Sequence, residues 1–217
     1  CLWYSPLVSH VLYAAHEMLA EGEVPMHVSQ AVQTRRSYRS LRPAAITESL
    51  VADLAGHAQL APSCFNHQPW QFVFVYDPEV LADLHQALSR GNAWAKAASM
   101  IIAVFTKREL DCTTGGREYY LFDTGMAVAF LVLRATELGL VAHPIAGYDE
   151  AKVREVLGIP EDMTVITLVN VGLHSESMNP LLTESQVDRE KTRPERKPLW
   201  EFAFVNRYGQ VGLPNMG

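Results

Sequence analysis

Cysteine is scarce in this sequence: three residues in 217, at Cys1, Cys64 and Cys112. Their odd number and wide spacing suit a reducing cytosol better than a disulfide framework. No two are close enough for a C-x-x-C pair, so an iron–sulfur or structural zinc site has no local scaffold and no metal is expected. The eight histidines include no H-E-x-x-H and no i, i+4 pair. G-x-S-x-G, a Walker A loop and G-x-G-x-x-G after a strand are all missing, which counts against a hydrolase, a nucleotide-triphosphate enzyme and a dinucleotide-fold dehydrogenase together. Long apolar runs are missing too. The strongest, 126–133 and 100–105, fall far short of the ~20 residues of a membrane-spanning helix. No leader pattern precedes a cleavage site. Cys1 in first place reads as a trimmed beginning, with a processed lipoprotein as the alternative. Positive charge is in deficit: 18 Lys and Arg against 24 Asp and Glu leave a net −6, which argues against general nucleic-acid binding. A cytoplasmic protein with no membrane partner is the expectation.

What is present is a globular composition, 48% apolar and 19% charged, in a chain of one domain or at most two small ones. Apolar spacing predicts helices over 6–21, 28–34, 79–88 and 150–157, and one from Thr47, as N-cap, to about Leu60, stopped by Pro62. Strands are expected over 71–76, 99–106 and 165–171, with a loop at Gly91-Asn92. A long helix should fill 117–138 after the Gly115-Gly116 break, with Gly139 as its cap. Its middle, 126–133, is apolar all round, which calls for cover on every side, a partner subunit being a natural source. The stretch 174–197 is charged and proline-bearing, an arm crossing a surface rather than core. The fold class is therefore α+β.

Four separated pieces carry chemistry. Arg35-Arg36-Ser37-Tyr38-Arg39 places three guanidinium groups in five residues of an acidic chain, a phosphate clamp or a solvated basic face. Residues 61–70, APSCFNHQPW, join a helix to a strand; Asn66 and Gln68 amides can read a heterocycle edge or simply satisfy a turn. Cys64 there has no His–Asp partner at a nucleophile's spacing and reads as a buried inert thiol. After the long helix, His143-Pro144-Ile145-Ala146-Gly147 lets backbone approach a flat ligand, unless it is an ordinary helix-to-helix connection. Arg196-Lys197-Pro198-Leu199, late in the arm, offers a second basic group.

In order and spacing, RRSYR, APSCFNHQPW, YLFDTGMA, AHPIAGYD and ERKPL resemble the nitroreductase family, the FMN-dependent oxidoreductases that form intertwined homodimers. The resemblance runs from Arg35 to about Gly209. It implies a small mixed or antiparallel sheet among helices: an extension over 1–33, one FMN-binding domain over 34–209 and a tail over 210–217. It implies that Arg35, Arg36 and Ser37 hold the FMN phosphate and ribityl chain, that Arg196 closes the phosphate site, and that Arg39 lies by N1 and the C2 carbonyl of the ring, tuning the flavin. Pro62, Ser63 and Asn66, with neighbouring Cys64, would come from the other subunit and Gln68 would support that loop. Asn92 would reach the pyrimidine edge, and Pro144, Ile145, Ala146 and Gly147 would run along the flavin near N5.

NADH or NADPH is the implied reductant, an electron-poor small molecule such as a nitroaromatic or quinone the acceptor, and ping-pong transfer the mechanism, with no catalytic side chain. Two departures stand out. Many members carry a glutamate where this chain has Ala146, and the segment 105–116 is short where the family often inserts a lid. Alternatives are a flavin-fragmenting or dehalogenating relative, a non-catalytic FMN-binding or storage protein, and a scaffold without FMN.

Overall fold

The computed structural model describes residues 26–213; the helix expected over 6–21 lies outside them. Its centre is an antiparallel sheet organised around two long apolar strands. β3 (Met100–Thr106) is buried at every position. It pairs on one side with β2 (Gln71–Val75) and on the other with β7 (Thr164–His174), whose far edge takes β6 (Leu140–Ile145) and whose end takes the two-residue β1 (Leu41–Arg42). Every pairing is antiparallel, so the mixed alternative drops out.

Alternation along β3 explains its unbroken apolar run. Ile101, Ala103 and Phe105 enter one core, and Met100, Ile102 and Val104 the other. The first core is covered by α3 (Pro78–Leu84) and α5 (Glu150–Leu157), the second by α2 (Glu48–Gln59) and α4 (Tyr120–Glu137). On α4, Ala127, Leu131 and Ala135 recur every fourth residue and point at the sheet. Arg134, almost fully buried, grips Asp53 of α2 with two bonds at 2.7 and 3.2 Å and Glu137 with a third at 2.7 Å, which keeps the two helices in register.

Local signals place several boundaries. α1 covers Val28–Thr34 as its apolar spacing predicts. Thr47 caps α2 by accepting from Leu50 N–H at 3.1 Å. Gly139, at φ +73°, ends α4 in the left-handed conformation.

Other expectations change. Arg117–Glu118 is strand β5, paired with β4 (Thr113–Thr114), so α4 starts three residues later than the sequence suggests. Gly91-Asn92 lies within a 3-10 segment, Arg90–Ala97. The stretch ending in Pro144-Ile145 is strand β6, not a connection between helices. The charged arm contains α6 (Glu184–Lys191), started by a capping box of Thr183 and Gln186. The described residues do not cover α4 on every side: Phe130 in its apolar middle, and Leu121 and Phe122 nearer its start, stay exposed. Among the described residues no helix is long and apolar enough to cross a membrane.

Candidate active site

The segment Arg35 to Ser40 leaves α1 in extended form, and the end of α6 with the following residues folds back over it. Between them lies a cleft of about 220 Å³ lined by Ser37, Pro194 and six arginines: Arg35, Arg36, Arg39, Arg189, Arg193 and Arg196. Hydrogen bonds across the whole length of the chain hold this closure. Arg36 donates to the carbonyls of Arg189 and Glu190, each at 3.0 Å, while its guanidinium lies 4.6 Å over the Tyr38 ring. Arg193 donates to the carbonyls of Gln33 and Arg35 at 2.7 and 2.8 Å. Arg35 reaches Ser37 Oγ at 3.2 Å.

The acid inside this group is spent on backbone. Buried Glu190 accepts from Arg39 N–H with both oxygens and from Ser40 N–H at 2.7 Å. None of the six arginines forms an ion pair with a carboxylate among the described residues. At Arg35 burial pushes the pKa down, and the neighbouring charges of Arg193 and Arg196 lower it further. At Arg39 burial lowers it most, with Glu190 opposing and Arg189 adding to the fall. Several uncompensated guanidinium groups around one small volume make an anion site.

The polar cleft opens onto an apolar trough of about 530 Å³ that shares Arg35 and Ser37 with it. Gly125 and Ala129 of α4 leave the room, and Pro144 of edge strand β6 forms the opposite wall. In the following residues Pro144 and Ala146 are exposed while the Ile145 side chain packs in the core, so Ile145 can meet a ligand only through its backbone. Gly147 is stapled to the 3-10 segment. Its carbonyl accepts from Ser89 N–H at 3.1 Å and from the Asn92 side-chain amide at 3.0 Å. Beneath the trough His143 is buried, its Nδ1 3.0 Å from the Tyr38 carbonyl, and burial lowers its pKa to about 4.

Pro62, Ser63, Cys64, Asn66 and Gln68 line neither cavity. They form a turn at the N-terminal end of α4, where Cys64 N–H donates to buried Asp123 at 2.6 Å. Gln68 N–H donates to Ser63 Oγ at 2.9 Å and its side chain to the Asn66 carbonyl at 3.2 Å. Phe65, Asn66 and Gln68 all have positive φ, an uncommon concentration for residues other than glycine, and Phe65 is 81% exposed. Cys64 is bonded to Cys112 across 48 residues, so it is no inert thiol, and the cysteine argument for a reducing compartment falls with that reading. Sequence reasoning missed three lining residues, Arg189, Arg193 and Pro194, together with Glu190, which ties the arm to Arg39 and Ser40; all four sit in the arm. The run of arginines at 189, 193 and 196 was the available signal.

A model of the nitroreductase family matches residues 32–99 and 82–173, the span from α1 through β7. The chain belongs to the nitroreductase family. Within it, a relative is the NADH dehydrogenase of Thermus thermophilus, 26% identical over 197 residues that cover 74% of this chain and 93% of that one. Among solved structures, a crystal structure of an oxidoreductase containing FMN superimposes with a TM-score of 0.73 at 28% identity, over 88% of this chain and 96% of its own. A nitroreductase family protein from Clostridium novyi NT gives 0.65 at 23% identity, over 85% and 96%. The nitroreductase match contains Arg35 to Arg39, Pro62 to Gln68, Asn92 and Pro144 to Gly147; Arg196 lies beyond it.

Proposed function

We propose that this chain is an FMN-dependent oxidoreductase that takes electrons from NADH or NADPH and delivers them to an electron-poor small molecule. The observation that carries the reading is the cleft of six arginines without a carboxylate partner, opening directly onto an apolar trough. A phosphate at one end of a flat, largely apolar ring system has that polarity. The FMN-containing relative at 28% identity supports the same cofactor, and the name of the Thermus thermophilus relative supports a nicotinamide donor.

The donor set fits the group. Arg35, Ser37 and Arg196 would hold the phosphate and ribityl chain, with Arg36 and Arg193 keeping the arm closed over them. Arg39, its backbone fixed by Glu190, would supply a cation to the pyrimidine end of the ring, where negative charge builds on reduction. Asn92 and the Pro144 to Gly147 backbone would border the ring. A Cβ on Gly147 would lie 2.6 Å from both Asn92 Nδ2 and Ser89 Oγ, so the close approach there requires glycine.

When bound, FMN would supply two-electron redox chemistry between a nicotinamide donor and the acceptor, the two substrates taking turns in a ping-pong sequence. The chain binds, orients and excludes water; no acid–base triad is needed. A homodimer completes the reading. The open faces of α1 and α4 offer exposed apolar side chains, Val28, Val32, Phe122 and Phe130, to such a contact. The outward turn holding Pro62, Ser63 and Asn66 would reach the partner's trough.

An anaerobic titration of the purified protein tests the function. Flavin absorbance should bleach on adding NADH or NADPH and return on adding a quinone or nitroaromatic. Flavin bands that persist with both donors would contradict it.

A further inference from the structure

The disulfide does not stand alone. Cys64 Sγ, Cys112 Sγ and a carboxylate oxygen of Asp111 all lie within 4.8 Å of one another. The Asp111 side chain has no exposed surface, and its Oδ2 has no hydrogen-bond partner. Its Oδ1 accepts from Cys112 N–H at 2.7 Å and faces His67 Nδ1 at 3.5 Å. Buried Asp123 adds a second carboxyl group, within hydrogen-bonding reach of Asp111. Two buried carboxyl groups, a half-exposed histidine and two sulfurs thus meet in one small volume.

Local backbone supports a coordinating geometry. Cys64 and His67 stand three apart on a turn closed by the positive φ of Phe65 and Asn66, the short spacing that brings two ligands to one metal. Asp111 and Cys112 supply the other side from consecutive residues. Zinc–sulfur bonds of about 2.3 Å at a tetrahedral angle separate two sulfurs by about 3.8 Å. Once the S–S bond is cut, small side-chain rotations bring that separation within the existing space. Two thiolates with a carboxylate suit zinc better than magnesium or calcium, which prefer all-oxygen shells.

We propose that Cys64, Cys112 and Asp111 form a zinc site that replaces the disulfide under reducing conditions, with His67 or a water in the fourth position. A cellular dithiol supplies the reduction. Its two thiols give two electrons and two protons, the Cys64–Cys112 bond breaks to two thiols, and the dithiol leaves as its own disulfide. Zinc then binds both sulfurs as thiolates and releases the two protons to solvent. The turn at residues 62–68 thus stays tied to the β4–β5 hairpin in either redox state.

The test uses the purified protein with its flavin. One portion is oxidised; another is reduced with a dithiol and freed of it under anaerobic conditions. Both are equilibrated with zinc chloride and desalted, then zinc and reactive thiols are counted. The reduced chain should retain one zinc per chain and show two thiols fewer than the same sample after chelation, and the oxidised chain should retain none. Cys64→Ser/Cys112→Ser, which keeps Cys1 as its only cysteine, serves as background. Because that variant loses the crosslink, Asp111→Asn provides an independent check on a folded chain: its zinc Kd should rise at least about tenfold. Zinc no higher in the reduced chain than in the background, zinc retained with both thiols reactive, or an unchanged Kd in Asp111→Asn would each overturn the proposal.

Discussion

Glu190 holds Arg39 by its backbone: both carboxylate oxygens accept the Arg39 N–H, at 3.0 and 2.9 Å, across 151 residues of sequence. With the further bond from Ser40 N–H, this buried carboxylate fixes the arm against the segment that carries the arginines. Glu190→Ala strands the part-buried Arg39 N–H and the buried Ser40 N–H and is expected to cost about 3 kcal/mol in urea unfolding, with a parallel loss of flavin affinity. Unchanged stability would mean that the arm is not held this way.

Gly147→Ala should act through crowding. The added methyl meets Asn92 Nδ2 and Ser89 Oγ at 2.6 Å, so the staple between the 3-10 segment and the end of β6 must open. A loss of about 1–3 kcal/mol is expected. Adding Ser89→Ala and Asn92→Ala should recover part of it, because the three sites share one contact and their effects do not add. Simple additivity in denaturation midpoints would count against the contact.

His143 predicts an acid sensitivity with a defined window. Folded, it stays neutral down to about 4; unfolded, it takes up its proton at its ordinary 6.5. The unfolded state therefore binds more protons between these values, and stability falls as pH drops from 6.5 toward 4. The full effect is about 3 kcal/mol at 1.36 kcal/mol per tenfold. In unfolding titrations His143→Gln should flatten this part of the pH profile, and a profile of unchanged slope would refute the assignment.

Closing a loop of 48 residues, the Cys64–Cys112 bond restricts the unfolded chain. Reduction in the presence of a chelator should lower stability by about 2–4 kcal/mol, read as a drop in Tm. No drop would show that the bond contributes nothing to the folded state.

Much of this architecture could be read from local signals. α1 and α5 needed only their apolar spacing, α2 its Thr47 cap, and β3 its unbroken apolar run, because in each the residues that decide the structure are neighbours in sequence. Arg35 and Arg196 could be paired through the family resemblance, and the structure puts both on one cleft. What escaped was long-range. Glu190 looks like one more surface charge until Arg39 and Ser40, 150 positions away, present their N–H groups to it. β6 contains a proline and hides as a loop until β7 lies beside it. Cys64 and Cys112 show no spacing signal, since their meeting depends on where α4 brings the turn at Asp123.

The most direct test of the central claim is the amount of FMN carried by Arg35→Ala/Arg196→Ala beside the parent protein, measured from the flavin absorbance per chain after purification and after incubation with added FMN. Both arginines face the cleft from opposite ends of the sequence and neither is paired with a carboxylate among the described residues. Their loss should leave a folded, dimeric and colourless protein, while the parent holds one FMN per chain. A double variant that keeps stoichiometric FMN would contradict the assignment of this cleft as the phosphate site.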